Sequence, residues 1–157
     1  MADGNLDALS ADDFLHIYSV NVVGAYQMTR AVAPHMKAQG QVRVVNTTPI
    51  AGVMPLGSSV AYAASKGAMN TMTLSLARLL APEIRVNAIA PGWISTKLTA
   101  PIQDMSEIAD PILQRTPMGR WGEPGEMIGT ALFLASANAA GFITGVTIPV
   151  DGGYCTL

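Results

Sequence analysis

The sequence predicts an α/β domain in which about three parallel strands carry helices packed against them. Short β-branched runs stand at 42–47, 84–89 and 145–150, and the stretches before and between them keep helical spacing over crossover lengths. Parallel strands need a crossover of a dozen or more residues where antiparallel ones need only a hairpin, so this alternation favours a parallel sheet. No linker, repeat or low-complexity tract divides the 157 residues, which are read as a single domain over 1–157.

Ser10 opens the first helix as a capping hydroxyl, with Asp12 and Asp13 facing the positive end of the helix dipole. Phe14, Ile17, Val20, Gly24, Met28, Ala31 and Met36 keep helical spacing until Gly40 stops the run. Val42–Thr47 is short and β-branched, as a buried strand is. Ser58 or Ser59 starts a second helix, rich in Ala, Met and Leu, that runs to about Leu80 before Pro82 ends it. Ile84–Ile89 reads as a strand closed by Pro91-Gly92, and a looser helical region covers about Leu98–Gln114. Pro124-Gly125-Glu126 opens a helix to about Ala137, and Gly145–Val150 is the last strand, ending at Asp151-Gly152-Gly153.

Composition excludes several classes of function. Half the residues are hydrophobic and 13% are charged, which rules out a disordered tail. The net charge is −2 and the cations are scattered, so no basic stripe exists to neutralise the phosphates of a nucleic acid. Apolar runs are interrupted too soon for a transmembrane helix, and the acidic start lacks the form of a signal peptide. The single cysteine, Cys155, permits no internal disulfide and suits a cytoplasmic protein. His16 and His35 stand apart on one helix with no Cys or acid cluster, so no metal site is expected.

Tyr62 and Lys66 lie four apart on the second helix and share one face. An ammonium beside a phenol favours the phenolate, which would fit the tyrosine for acid–base work. The spacing alone is weak, since an exposed helical Tyr–Lys pair is the commoner arrangement. Its context is not weak. Val45-Asn46-Thr47-Thr48, Ile50-Ala51-Gly52, Ala61-Tyr62-Ala63-Ala64-Ser65-Lys66-Gly67-Ala68, Arg85-Val86-Asn87-Ala88-Ile89-Ala90-Pro91-Gly92 and Thr144-Gly145 through Asp151-Gly152-Gly153 occur in one order, with Arg120-Trp121-Gly122-Glu123-Pro124 and Glu126 before the last helix. Together these motifs resemble the short-chain dehydrogenase/reductase family, from the helix before its fifth strand to its C-terminus. On that resemblance the expectation is a truncated Rossmann-like domain without the family's N-terminal cofactor-binding half.

The resemblance implies NAD or NADP as cofactor and hydride transfer between a nicotinamide and a small carbonyl or alcohol. Tyr62 would be the acid/base, Lys66 would lower its pKa and hold the nicotinamide ribose, and Asn21 would hold a water in the proton relay. Pro91, Gly92, Ile94 and Thr96 would form the loop that holds the nicotinamide carboxamide, and 98–114 would be the substrate lid. Two departures stand against turnover. Pro49 occupies the place of the family serine that bonds the substrate oxygen, and proline has no side-chain donor. Thr48, adjacent, or Thr47, of the same strand parity as Pro49, would have to substitute. No Gly-x-x-x-Gly-x-Gly follows a strand here, so tight independent NAD(P) binding is not expected.

The strand at 42–47 is expected to have an open edge, and the resemblance places the subunit interface on helices 11–38 and 59–80, so a homo-oligomer is expected. The alternative function is a non-catalytic assembly module. A serine hydrolase at Ser58 or Ser59 is disfavoured, because Gly57-Ser58-Ser59-Val60-Ala61 lacks the second glycine of a nucleophile elbow.

Overall fold

The computed structural model describes residues 9–40, 42–52 and 60–156. The elements run α1 (Ala11–Tyr18), a π-helical turn (Ser19–Val23), α2 (Gly24–Gln39), β1 (Val42–Thr47), α3 (Val60–Leu80), β2 (Ile84–Pro91), α4 (Ala100–Gln103), α5 (Ser106–Arg115), α6 (Met127–Ala135) and β3 (Thr147–Val150). The three strands form one parallel sheet, as expected, and the structure sets their order as β1-β2-β3. Ser58 and Ser59, read as a helix start and as a candidate nucleophile, lie outside the described residues.

Local chemistry explains the element ends. The Ser10 hydroxyl accepts the Asp13 N–H at 3.1 Å while the Asp13 carboxylate accepts the Ser10 N–H at 3.2 Å, a reciprocal cap that starts α1. One long first helix was expected, but a wider turn at 19–23 interrupts it: the Gly24 N–H reaches back five residues to the Ser19 carbonyl. The loose region resolves into two helices, α4 and α5.

β2 is the central strand and is buried along nearly its whole length. Ile84 and Val86 join Leu76, Ala77 and Leu80 of α3, with Met36 and Val44 packed against them. Ile84 and Val86 are completely buried, each removal from water contributing about 1.5–3 kcal/mol. The alternate residues of β2 point to the other side of the sheet. Arg85 there donates to the carbonyls of Leu134 and Ser136 at the C-terminal end of α6, and to Ile143. Asn87 donates to the Ile143 carbonyl and accepts the Val146 N–H, clamping the approach to β3. The Arg-Val-Asn motif is therefore a structural clamp.

Two strand ends differ from expectation. β2 continues through Pro91, which a proline tolerates here because β1 pairing stops at Ile89 and only Val150 of β3 lies opposite. β3 begins at Thr147 rather than Gly145, whose φ of 80° makes it a turn.

Candidate active site

A cleft of about 630 Å³ opens beside the C-terminal ends of β1 and β2. Ile50 of its lining belongs to a buried cluster with Ala90, Ile112 and Tyr154, against which Trp93, Ile102 and Trp121 pack. Trp93 meets Trp121 and Tyr154 edge-on, at ring centroid distances of 5.6 and 6.4 Å. Tyr62, Asn21, Pro49 and Gly92 all line this cleft.

Tyr62 and Lys66 share one face of α3, with the Lys66 ammonium over the tyrosine ring at 5.5 Å from its centroid. Burial pushes the Tyr62 phenol above its ordinary 10.0 and the Lys66 ammonium below its ordinary 10.5. This corrects the expectation of a tyrosine pKa lowered by the lysine. The ammonium sits against the ring face, and loss of water around the phenol is what sets the shift.

Asn21 falls in the wide turn between α1 and α2. Its side-chain N–H donates to the Ser65 hydroxyl at 2.9 Å, and that hydroxyl donates to the Tyr62 carbonyl at 2.7 Å. Ser65 is fully buried, so it fastens the asparagine to the turn of α3 that carries the tyrosine. Sequence reasoning passed over Ser65; its place one turn below Tyr62, between the two polar candidates, was the available signal.

Thr48 does not stand in for the missing serine. It is fully buried, and its hydroxyl donates to the Lys66 backbone carbonyl at 3.1 Å. Thr48, one residue past the end of β1, turns its hydroxyl to α3, whereas Pro49 lines the cleft. Thr47 is exposed and does not line the cleft. The turn at Ile50–Gly52 presses onto α3, where a Cβ at Gly52 would lie 2.6 Å from the Lys66 carbonyl oxygen. Asn70 fastens the same turn by donating to the Gly52 carbonyl at 2.9 Å.

The Pro91–Thr96 loop is held from several sides. The Gly92 N–H donates to Val150, and a Cβ on Gly92 would lie 2.6 Å from the Cα of Asp151. Ile94 pairs with Gly122, whose entry to α6 is braced by the bidentate Arg120–Glu126 pair at 2.8 and 2.6 Å. That pair draws the Glu126 carboxyl down to about 2. The Thr99 hydroxyl, which the sequence did not single out, donates to the Ile94 carbonyl at 2.6 Å and lies 3.2 Å from the Thr96 hydroxyl. Of this loop Gly92 and Trp93 reach the cleft, while Pro91, Ile94 and Thr96 do not line it. Cys155 is a half-buried thiol, pushed up to about 11 chiefly by burial. Among the described residues no His, Cys, Asp and Glu group could hold a metal ion, and no helix is long and apolar enough to cross a membrane.

A lysine ammonium over a tyrosine ring on one helix face, an asparagine fastened beside them and a braced loop thus meet at the mouth of the parallel sheet. The chain belongs to the short-chain dehydrogenase/reductase family: residues 2–155 match the family model described as enoyl-(acyl carrier protein) reductase. It is 41% identical to a galactitol 2-dehydrogenase (L-tagatose-forming) of Cereibacter sphaeroides, over 94% of this chain and 60% of the relative. It is 38% identical to a 3-oxoacyl-[acyl-carrier-protein] reductase of a Synechocystis species, over 92% of this chain and 57% of the relative. The crystal structure of a gluconate 5-dehydrogenase from Burkholderia cenocepacia, in complex with NADP and tartrate, superposes with a TM-score of 0.91 at 37% identity. That superposition covers 97% of this chain and 60% of the other. The chain thus spans about three fifths of the length of these relatives. The match takes in the start of the chain, and it lends no support to the expected confinement to a C-terminal half.

Proposed function

We propose that this chain carries the proton-transfer site of an NAD(P)-dependent oxidoreductase acting on a small carbonyl or alcohol. The observation that carries the reading is the placement of Tyr62 in the cleft, with the Lys66 ammonium over its ring and its backbone joined through Ser65 to Asn21. A bound nicotinamide supplies or accepts the hydride. The Tyr62 hydroxyl gives its proton to the carbonyl oxygen during reduction and takes it from the alcohol during oxidation. In this reading Lys66 would bond a ribose hydroxyl and Asn21 would position a water of the relay.

The donor set fits the nicotinamide end of such a cofactor: the Tyr62 phenol lines the cleft, the Lys66 ammonium lies over its ring, and the turn at Gly92-Trp93 borders the same cleft. The pyrophosphate has no matching cradle in this sequence, which contains no Gly-x-x-x-Gly-x-Gly. The proline at position 49 brings no side-chain donor to the cleft, and it favours a second reading, a non-catalytic assembly module. Leu15, Met28, Leu74 and Leu79 are exposed on α1, α2 and α3, and the free side of β1 has no ladder partner among the described residues. These features support a homo-oligomer built on those helices.

Titration with NAD(H) and NADP(H), read by tryptophan fluorescence, separates the two functional readings. Saturable binding below millimolar cofactor, with turnover lost in Tyr62→Phe, supports the enzyme. No binding at millimolar cofactor supports the module. Light scattering that shows a stable monomer at low micromolar concentration would refute the oligomer.

A further inference from the structure

The walls of the cleft carry information about substrate class that the names of the relatives do not. Ile17, Val20, Ile50, Trp93, Leu98 and Ile102 supply most of its lining, and no Asp, Glu, Lys or Arg lines it among the described residues. The polar side chains that do reach it are His16, Asn21, Tyr62 and Thr99. Two of these are committed within the protein: Asn21 donates to Ser65 and Thr99 donates to the Ile94 carbonyl. A substrate with a carboxylate or a row of hydroxyls would leave these groups buried against hydrocarbon without partners, which is unfavourable. An apolar body would instead release water from both surfaces. The volume, about 630 Å³, is that of a site for a whole small molecule.

We propose that this cleft takes an uncharged ketone or secondary alcohol on an apolar alicyclic or alkyl body, and discriminates against polyols and sugar acids. The proposal rests on the oxidoreductase reading for the reacting group, while the preference for an apolar body comes from the walls alone. It sets the chain apart from the galactitol and gluconate dehydrogenases it resembles.

The test is a fluorescence titration of the whole chain without nicotinamide, using decalone and octanone against gluconate and ketogluconate. Trp93 on the cleft wall, with Trp121 at its edge, is the reporter. The ketones should quench saturably and bind about tenfold or more tightly than either sugar acid, the difference that burying a few methylene groups produces. Leu98→Lys places a cation at the mouth where Leu98 is 86% exposed, so the fold tolerates it. It should weaken decalone and strengthen gluconate. Sugar acids binding as tightly as the ketones, or ketones failing to saturate up to their solubility, overturns the proposal. Because no cofactor is present, failure of the hydride-transfer reading would appear only in the nicotinamide titration and leaves this result separate.

Discussion

Restoring a hydroxyl at position 49 is the sharpest perturbation the site allows. Pro49 lines the cleft together with Tyr62, so Pro49→Ser places a hydroxyl in the same cleft as the phenol proposed to protonate the substrate oxygen. The turn should survive the change. Its closing bond runs from the Gly52 N–H to the carbonyl of residue 49 at 2.8 Å, and serine keeps that carbonyl. Losing a proline gives the unfolded chain more freedom, a cost of about 0.4–1 kcal/mol. One oriented donor to a reacting oxygen contributes about 10²–10³ in kcat, or about 2.7–4 kcal/mol of barrier, so the catalytic effect exceeds the stability effect. The assay is NADH- and NADPH-dependent reduction of apolar ketones, with thermal unfolding followed in parallel. We expect kcat to rise by about 10² or more, with Tm lower by a few degrees. An unchanged kcat in a folded variant, or no turnover in either protein, refutes the assignment of this position.

Other substitutions test the scaffold around that chemistry. Gly52→Ala should cost about 1–3 kcal/mol and lower Tm, because its Cβ would lie 2.6 Å from a backbone oxygen of α3 and cannot be relieved by a rotamer change; an unaltered denaturant midpoint refutes it. Arg85→Met should cost on the order of 2 kcal/mol in urea unfolding, since the carbonyls of Leu134, Ser136 and Ile143 lose a shared donor. Tyr62 should also leave an alkaline signature. Its folded-state pKa is raised by burial, so its contribution to stability is intact below the ordinary value of 10.0 and is lost as pH rises through the folded value. Wild type should therefore lose stability relative to Tyr62→Phe as pH rises above the ordinary value of 10.0 toward the raised folded value; parallel curves would contradict the burial argument.

Much of the fold was legible because it is written in local patterns. β1 is the Val42–Thr47 run, α3 ends before Pro82, and Ser10 with Asp13 caps α1. The catalytic candidates Tyr62 and Lys66 were legible for the same reason, since four residues of helix bring them together wherever the helix lies. What escaped depends on contacts distant along the chain. Thr48 looked like a spare hydroxyl beside Pro49, and only the press of the Gly52 turn against Lys66 shows that the hydroxyl is consumed by the backbone of α3. Ser65 and Thr99 were missed because an isolated hydroxyl has no pattern until its partner is placed, and those partners are Asn21 and Ile94.

The same contacts show how the cleft could lose its chemistry without losing its shape. Lys66 offers its backbone to Thr48 and its ammonium to the Tyr62 ring, so the helix face is held by bonds that do not pass through residue 49. Asn21 is likewise fastened through Ser65, and the Gly92 loop through Val150, Gly122 and Thr99. A proline at position 49 therefore removes the substrate-facing donor and leaves every one of these bonds in place. It also keeps the carbonyl that closes the turn on Gly52. In the proposed reading the structural and catalytic roles of this segment would be separated by a single residue, and that is why Pro49→Ser is expected to change rate far more than stability.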